Sequence, residues 1–471
     1  MAQELVGGVR PRARFLARAH TMGSSLPRRG GHAAVLGWLV SQSTLAGVSC
    51  FDDGAAQGSC GGAEGHCAAT SALATSASSQ ALRWRGFPYR VSNPAFARTV
   101  YGGDYIRAAF KDHGFEGPVE GDDWDVLWTH RPQEPLQVPP RPGGRLVNHC
   151  SYFGGAGDKC GLARHVARLR ASNPAPTGHR YFRTYELRKP DQVAEWQRAV
   201  VGAPEKYWLL KPCLGGASKG IQILRGVEAI EVARREYGRE AVVAQEYLEQ
   251  PFLGFGGRKF HLRLYIVVTR WEPVGAYLYD NGLVFRSLHS YSSTPEGARD
   301  AFSSISPSVE ALPLTTLWRH LDASAEVEEP TNGGGVLPAS TVRSRIASML
   351  RELLGSNLEE SFGDPKAARS PGGIGCFDLF GADVILDQEL RPLVMELNSG
   401  PNMWVSDHGE AHQDILAAVK TPLVQQLVQW LASRIRRRQS SPGLDRVVDV
   451  SDVDAATADE AEALVNFTRL L

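Results

Sequence analysis

The apolar positions of this chain fall into three patterns. Between 207 and 289 they form short runs bounded by turn residues: Tyr207–Lys211, Ile221–Leu224, Val242–Leu248, Lys259–Thr269, Val274–Tyr279 and Leu283–His289. Short runs rich in Val, Ile, Leu and Tyr predict strands. Asp280-Asn281-Gly282 separates the last two and predicts a hairpin turn. Further strand-like runs lie at Asp125–Trp128, 376–387 and 392–398. A helical period predicts one helix near 341–354 and another with 415, 416, 419, 423, 424, 427, 428 and 431 on one face. Residues 1–82, rich in Gly, Ala, Ser and Arg, show almost no period and read as a disordered or targeting region. The pattern divides the rest into a small N-terminal subdomain (83–150), a central subdomain (151–240) and a C-terminal subdomain (241–432). An irregular insertion around one short helix occupies 292–340, and a charged, solvated tail occupies 433–471.

The polar residues set into these runs carry the chemistry. Cys376-Phe-Asp-Leu-Phe-Gly-Ala-Asp383-Val-Ile-Leu-Asp387 and Pro392-Leu-Val-Met-Glu396-Leu-Asn398 flank a short polar turn. If the turn centres between Glu389 and Leu390, Asp383 and Glu396 lie opposite each other, with Cβ atoms about 5 Å apart. Asn398 points the same way, because strand side chains alternate. Two carboxylates and an amide converging among apolar neighbours need a cation, and three hard oxygen donors suit Mg²⁺. A half-exposed hairpin explains one such acid, but not three aligned polar groups.

Lys259-Phe-His261-Leu-Arg263-Leu-Tyr265 alternates strictly, with Lys, His, Arg and Tyr on one face. That face is cationic without acids, as a polyphosphate requires, and Arg286 in a neighbouring strand is expected to join it. Tyr207-Trp-Leu-Leu-Lys211-Pro leads into a loop of small residues and then Gly220-Ile-Gln-Ile-Leu224. Gly215, Gly216 and Gly220 let backbone N–H groups approach phosphate oxygens. The G-x-x-x-x-G-K-[ST] pattern is absent, so this is not a P-loop. Gln245-Glu246-Tyr247-Leu248 would suit a wall where a purine meets strand backbone, and a plain core strand explains it almost as well.

Composition narrows the class. The 471 residues carry 51 basic and 51 acidic side chains and are 43% hydrophobic. This excludes a wholly disordered chain and argues against a protein that grips nucleic acid by overall charge. No apolar run approaches the ~18 residues that span a membrane. Seven scattered cysteines without Cys-x-x-Cys form neither a disulfide framework nor a zinc ribbon, and read as a reducing, cytoplasmic protein. Six Arg against one acid in the first 50 residues keep a transit peptide open. Only nine of the basic residues are lysine, and Lys159, Lys211, Lys219 and Lys259 are among them. A lysine that persists where arginine dominates marks a site for a compact ammonium, and biased codon usage explains the same ratio equally well.

Taken together, Lys211-Pro with Gly220-Ile, Gln245-Glu-Tyr-Leu248, Gly257-Arg-Lys259-x-x-x-Arg263-x-Tyr265, Cys376-Phe-x-Leu-Phe-Gly-x-Asp383 and Glu396-Leu-Asn398-Ser-Gly-Pro401 resemble the tubulin–tyrosine ligase-like family. Asn148-His149, Lys159-x-x-Leu162 and Phe182-Arg-Thr-Tyr185 are similar to its upstream markers, and the likeness covers roughly 120–430. It implies an α+β chain with an ATP-grasp fold, two α/β subdomains clasping ATP, behind the small α/β N-terminal subdomain. It further implies that Lys159, Lys211, Lys259, Arg263 and Arg286 hold ATP phosphates or the reacting carboxylate. Gln245–Leu248 would line the adenine site, with Gly220 and His261 beside the nucleotide, and Asp383, Glu396 and Asn398 would ligate Mg²⁺.

The implied reaction activates a protein carboxylate with ATP and joins a free amino acid to it. Glutamate ranks ahead of tyrosine and glycine, and tubulin's acidic C-terminal tail is the expected acceptor. The implied setting is a monomer on the cytoskeleton or cilium, with no nucleic-acid or membrane partner. The alternative is a catalytically silent tubulin- or nucleotide-binding module of the same fold. The sequence departs from the family at His261, where an acid is usual. It departs again at the family's His-Leu-Thr-Asn segment, whose nearest counterpart here is Leu314-Thr315-Thr316.

Overall fold

The computed structural model describes residues 81–86, 102–129, 144–149, 157–172, 181–214, 220–236, 242–271, 273–292, 309–327, 336–355, 374–405, 410–440, 460 and 462–471. What the sequence predicts for residues 1–80 and for Gly215, Gly216 and Lys219 lies outside these residues.

The chain opens with strand β1 (Leu82–Gly86), helix α1 (Asp104–Asp112), and strands β2 (Phe115–Glu116), β3 (Val126–Trp128) and β4 (Arg145–Val147). Helix α2 (Lys159–Ser172) follows. Next come β5 (Thr184–Glu186), α3 (Pro190–Gly202), β6 (Tyr207–Pro212), β7 (Gln222–Arg225), α4 (Gly226–Glu236) and β8 (Val242–Glu246), whose strands form one sheet in the order β5-β8-β6-β7. The long strands β9 (Phe260–Trp271) and β10 (Val274–Ser287) begin the largest sheet. It continues with β11 (Val309–Pro313), then α5 (Leu314–Val327) and α6 (Ala339–Gly355). Strands β12 (Ile374–Cys376), β13 (Asp378–Leu386) and β14 (Pro392–Ser399), helix α7 (Glu410–Ser440) and β15 (Phe467–Arg469) complete the order.

The largest sheet runs β11-β10-β9-β13-β14, with β15 added along β10. One of its faces buries Phe260, Leu262, Leu264 and Ile266 against α5 and α6. The other buries Tyr265, Val267, Leu283 and Phe285 against α7 and the N-terminal strands. All nine residues of β13 are buried, as a central strand covered on both faces requires. The tight turn from β13 to β14 forms around Asp387. Its Oδ1 accepts the backbone N–H groups of Glu389 (3.0 Å) and Arg391 (2.9 Å), and Leu390 takes a left-handed φ of 57°.

Several expectations are corrected. Asp280-Asn-Gly282 is not a hairpin turn: β10 runs through it, and the register against β9 shifts between Leu278 and Gly282. A type I′ turn needs positive φ at both central residues, and neither Asn281 nor Gly282 has it. Among its described residues, the region 292–340 holds a strand and a 14-residue helix rather than one short helix. Helix α7 passes 432 and runs to Ser440, because Ile435 continues its buried stripe. The final residues are not a solvated tail. Leu464 and Leu470 are buried, and the buried Glu460 carboxylate accepts hydrogen bonds from Arg270 and Tyr277, both at 2.6 Å. Strand β12 pairs with β4, so the N-terminal sheet borrows its edge from a segment more than 200 residues downstream. Finally, Cys160 and Cys213 form a disulfide, brought together as α2 packs beside the end of β6. No described helix is long and apolar enough to cross a membrane.

Candidate active site

Register decides which side chains meet. Across the β13–β14 ladder Asp383 stands opposite Glu396 and Gly381 opposite Asn398, as the sequence predicts for the acidic pair. Across the next ladder Arg263 stands opposite Asp383. Directly opposed residues share a face, so Asp383, Glu396, Asn398, Arg263, His261 and Lys259 leave the large sheet on one side.

Each carboxylate there is matched to a cation. Arg263 donates to Asp383 through Nε (2.5 Å) and Nη2 (3.0 Å), a planar fork on a carboxylate. Burial works against the guanidinium's charge, but Asp383 outweighs it and holds its pKa above the ordinary arginine value. Glu396 lies 3.0 Å from Lys159 Nζ, presented by the first turn of α2. The Asn398 amide N–H reaches toward Gly381 O (3.4 Å), which orients its carbonyl oxygen the other way.

The four-stranded sheet supplies the facing wall. Lys211 Nζ donates to Gln245 Oε1 at 2.6 Å, and Gln245 Nε2 donates to Thr184 Oγ1 at 3.1 Å. Lys259 Nζ donates to Tyr247 OH at 2.9 Å and lies 4.2 Å from the centre of that ring. Glu246 pairs with Lys206 and, at 3.8 Å, with Arg183. Leu248 packs with Phe182, Ile385, Leu393 and Met395 into an apolar shelf. Gly220 turns with φ +72°, and a Cβ there would approach Pro212 Cγ to 3.0 Å, so the turn sits directly on the residue after Lys211. A cleft of about 510 Å³ opens beside these residues, between Lys206 with Glu246–Gln250 on one side and Asp387–Glu389 with Arg391 on the other.

Burial makes this cluster unusual. Lys211 is only 4% exposed and Lys259 5%. Desolvation lowers the Lys211 pKa to about 8, with Glu396 opposing the shift. Desolvation, aided by Lys211, lowers that of Lys259 to about 7. A polyanion seated between the sheets would restore both charges, and an oxygen-binding cation would hold the acids. The donor set fits both groups: Asp383, Glu396 and Asn398 for Mg²⁺, and Lys159, Lys211, Lys259 and Arg263 for phosphate.

Two predicted members behave differently. His261 lies on the shared face, but burial lowers its pKa to about 4, so it is neutral, and its Nε2 is buried without a hydrogen-bond partner. Its ring lies 5.4 Å from that of Phe285, its cross-strand partner. Arg286 does not join the cluster. It stands opposite Phe260, hence on the other face, and its Nε pairs with Glu310 at 2.7 Å. Sequence reading misplaced it because Arg286 and Phe285 are adjacent, and one residue of register reverses the face. Leu314-Thr315-Thr316 opens α5, while β11 just before it runs beside β10. Lys206 and Tyr291, whose N–H donates to Gly257 O (3.2 Å), carried no sequence signal because each acts through a distant segment.

A family model described as the tubulin-tyrosine ligase family matches residues 154–305 and 345–439, more than half of the chain. The chain belongs to the tubulin-tyrosine ligase family. Family membership brings an ATP-grasp-like architecture, consistent with the mixed sheets and helices seen here. Among curated relatives, human tubulin polyglutamylase TTLL6 is 27% identical over 318 residues, 63% of this chain and 33% of that protein. Zebrafish (Danio rerio) tubulin polyglutamylase ttll6 is 25% identical over 317 residues, 63% of this chain and 38% of its own. Human tubulin monoglutamylase TTLL4 is 24% identical over 337 residues, 67% of this chain and 25% of its own. The chain thus matches between a quarter and two fifths of the length of these relatives.

Proposed function

We propose that this chain is an ATP- and Mg²⁺-dependent carboxylate–amine ligase that adds an amino acid, glutamate ahead of tyrosine or glycine, to a protein acceptor. Tubulin's acidic tail is the acceptor we favour, since the relatives are named as tubulin glutamylases. The observation that carries the reading is the convergence of four buried or half-buried cations with Asp383, Glu396 and Asn398 between two sheets.

In this reading the sheet of β9, β13 and β14 and the sheet of β6 and β8 are the two jaws of an ATP-grasp fold. The β1–β4 subdomain braces them. Gln245–Leu248 and the Leu248 shelf receive adenine, and Lys159, Lys211, Lys259 and Arg263 bind the phosphates. Asp383, Glu396 and Asn398 hold Mg²⁺, which when bound neutralises charge on the transferring phosphoryl group. The cations orient the acceptor carboxylate for attack on the γ-phosphorus. An acyl-phosphate forms as ADP leaves, and the amine then displaces phosphate and sheds a proton. Electrostatic stabilisation of this kind acts through groups fixed before reaction.

Glu396→Gln keeps the shape of the side chain but removes its charge. It should abolish ATP-dependent incorporation of labelled glutamate into tubulin by the full chain, while wild type incorporates it. Equal incorporation by both would sink the metal assignment. Two observations support the second reading, a silent nucleotide-binding module: a neutral His261 faces Phe285, and Arg286 points away. Wild type that binds ATP but incorporates none of a panel of amino acids would establish it.

A further inference from the structure

Arg286 has a defined place even though it is absent from the phosphate face. Its guanidinium lies 4.5 Å from the centre of the Phe255 ring, and Nη1 donates to Phe255 O at 3.4 Å. Its Nε donates to Glu310 Oε1 at 2.7 Å, and the same oxygen accepts Arg258 Nη1 at 3.2 Å. Glu310 stands directly opposite Arg286 on β11. Phe255 and Arg258 belong to the turn that runs from Pro251 into β9, and Arg258 immediately precedes Lys259. That turn takes left-handed φ at Gly256 (+81°) and Gly257 (+68°), and a Cβ at Gly256 would come within 3.3 Å of Arg286 Nη1. Gly257 N–H donates to Leu253 O at 2.8 Å, and His320 Nε2 lies 2.8 Å from Gly254 O. The turn is therefore tied at its middle and its end to one carboxylate on a neighbouring strand.

The backbone just beyond is tied as well: Ser287 N–H donates to Lys259 O at 2.9 Å. A lysine ammonium at the end of a flexible four-carbon stem can be aimed only if its Cα is held and its path is walled. Lys259 meets Tyr247 on one side of the cleft, and the clamp holds the turn from which it springs.

We propose that Arg286 and Glu310 form an ion-pair clamp that sets the Pro251–Arg258 turn and thereby aims the Lys259 ammonium. Arg286 is then a positioning residue and not a ligand of phosphate or substrate. The role of Lys259 toward ATP rests on the function proposed above; the clamp itself does not. Two readouts keep the two separable.

The first is the acylation rate of individual lysines in the ligand-free full chain, read by mass spectrometry after brief exposure to acetic anhydride. Glu310→Gln and Arg286→Met should each speed labelling of Lys259 by about fivefold, and the double variant should be no faster than either, as expected of residues acting as a unit. The charge swap Arg286→Glu with Glu310→Arg should bring the rate back toward wild type. Exposed Lys111 and buried Lys420 should not change in any variant. If Lys420 quickens together with Lys259, the fold has merely loosened and the clamp is refuted.

The second readout is ATP affinity by calorimetry. The clamp predicts that both single variants weaken binding, and by similar factors. If Arg286 touches phosphate, Glu310→Gln should strengthen binding by freeing it, Arg286→Met should weaken it, and Lys259 labelling should stay at the wild-type rate. That pattern overturns the proposal. A wild type that binds no ATP refutes the proposed function, while the labelling still decides the clamp.

Discussion

Two arginine–carboxylate pairs cross neighbouring strands of the same sheet and end up on opposite faces. Arg263 meets Asp383 on the side that faces the cleft, where the two side chains are 15% and 8% exposed. Arg286 meets Glu310 on the side of α5, at 19% and 26%. Their chemistry is the same, but their surroundings differ. The first pair sits among buried lysines and a second carboxylate. The second sits beside an aromatic ring and a glycine turn. On the proposed function a bound ligand would rearrange the first, whereas on the proposed clamp the second is a structural tie. Strand alternation alone separates these fates, since moving either arginine by one position would bring it to the other's face.

The comparison predicts unequal costs. Asp383→Ala strips the fork from a well-buried guanidinium and leaves an uncompensated charge, which should lower unfolding stability by about 3–5 kcal/mol. Glu310→Ala removes the more exposed carboxylate and leaves Arg286 with the Phe255 carbonyl and ring as partners, so it should cost less, about 1 kcal/mol. Urea denaturation of both variants checks this. Equal losses would mean that the two faces are equally dry and that the contrast is false.

A smaller effect should appear with pH, and only on the cleft face. With folded pKa values of about 7 for Lys259 and about 8 for Lys211, both ammonium groups lose protons as pH climbs from 6 to 9 in the ligand-free protein. ATP affinity should therefore fall by roughly tenfold or more across that window, because the phosphates then have to draw a proton back onto each neutral amine before they gain its charge. Folding stability without ligand moves in the opposite sense. An unfolded lysine keeps its proton up to about 10.5, so above pH 7 the unfolded chain binds more protons and native stability gains with rising pH. Lys259→Arg, charged throughout, should remove the lower step. Calorimetric titrations at several pH values, with urea melts beside them, test both signs. Affinity that stays flat with pH would mean that these lysines do not meet the phosphates.

Much of the cleft face was legible in the sequence. The pairing of Asp383 with Glu396 is read from two apolar runs flanking a turn, although the turn centres on Glu389 and a register shift between Asp383 and Val384 is what restores that pair; the cationic alternation from Lys259 to Tyr265 follows from period two. Both are local patterns, read within about twenty residues. Contacts made over long distance in sequence were not legible. Nothing near Ile374–Cys376 marks it as the edge of a sheet begun near residue 82, and nothing near Glu460 predicts that Arg270 and Tyr277 will bury its charge. Asp280-Asn-Gly282 misled for a related reason. Its local turn preference lost to the ladder that β10 forms with β9 on both sides of it. Arg286 lies on the far face because alternation carries through that irregularity unbroken: Tyr277, Tyr279, Leu283 and Phe285 share one face, and Ala276, Leu278, Val284 and Arg286 the other.

The smallest effect concerns the outer half of the clamp. Arg258 shares Glu310 Oε1 with Arg286 but at 3.2 Å rather than 2.7 Å, and its side chain is 36% exposed. Water can replace most of what it contributes, so Arg258→Ala should cost no more than about 0.5 kcal/mol. Lys259 labelling should stay close to wild type, because Arg286 still joins Glu310 to Phe255. Arg286→Ala removes the guanidinium from over the ring and from the carboxylate together, and should cost more on both counts. Running the two alanine variants side by side in the urea and labelling assays ranks the two arms. If Arg258→Ala proved the more damaging, the tie would run through the backbone next to Lys259, and the stacking of Arg286 on Phe255 would be incidental.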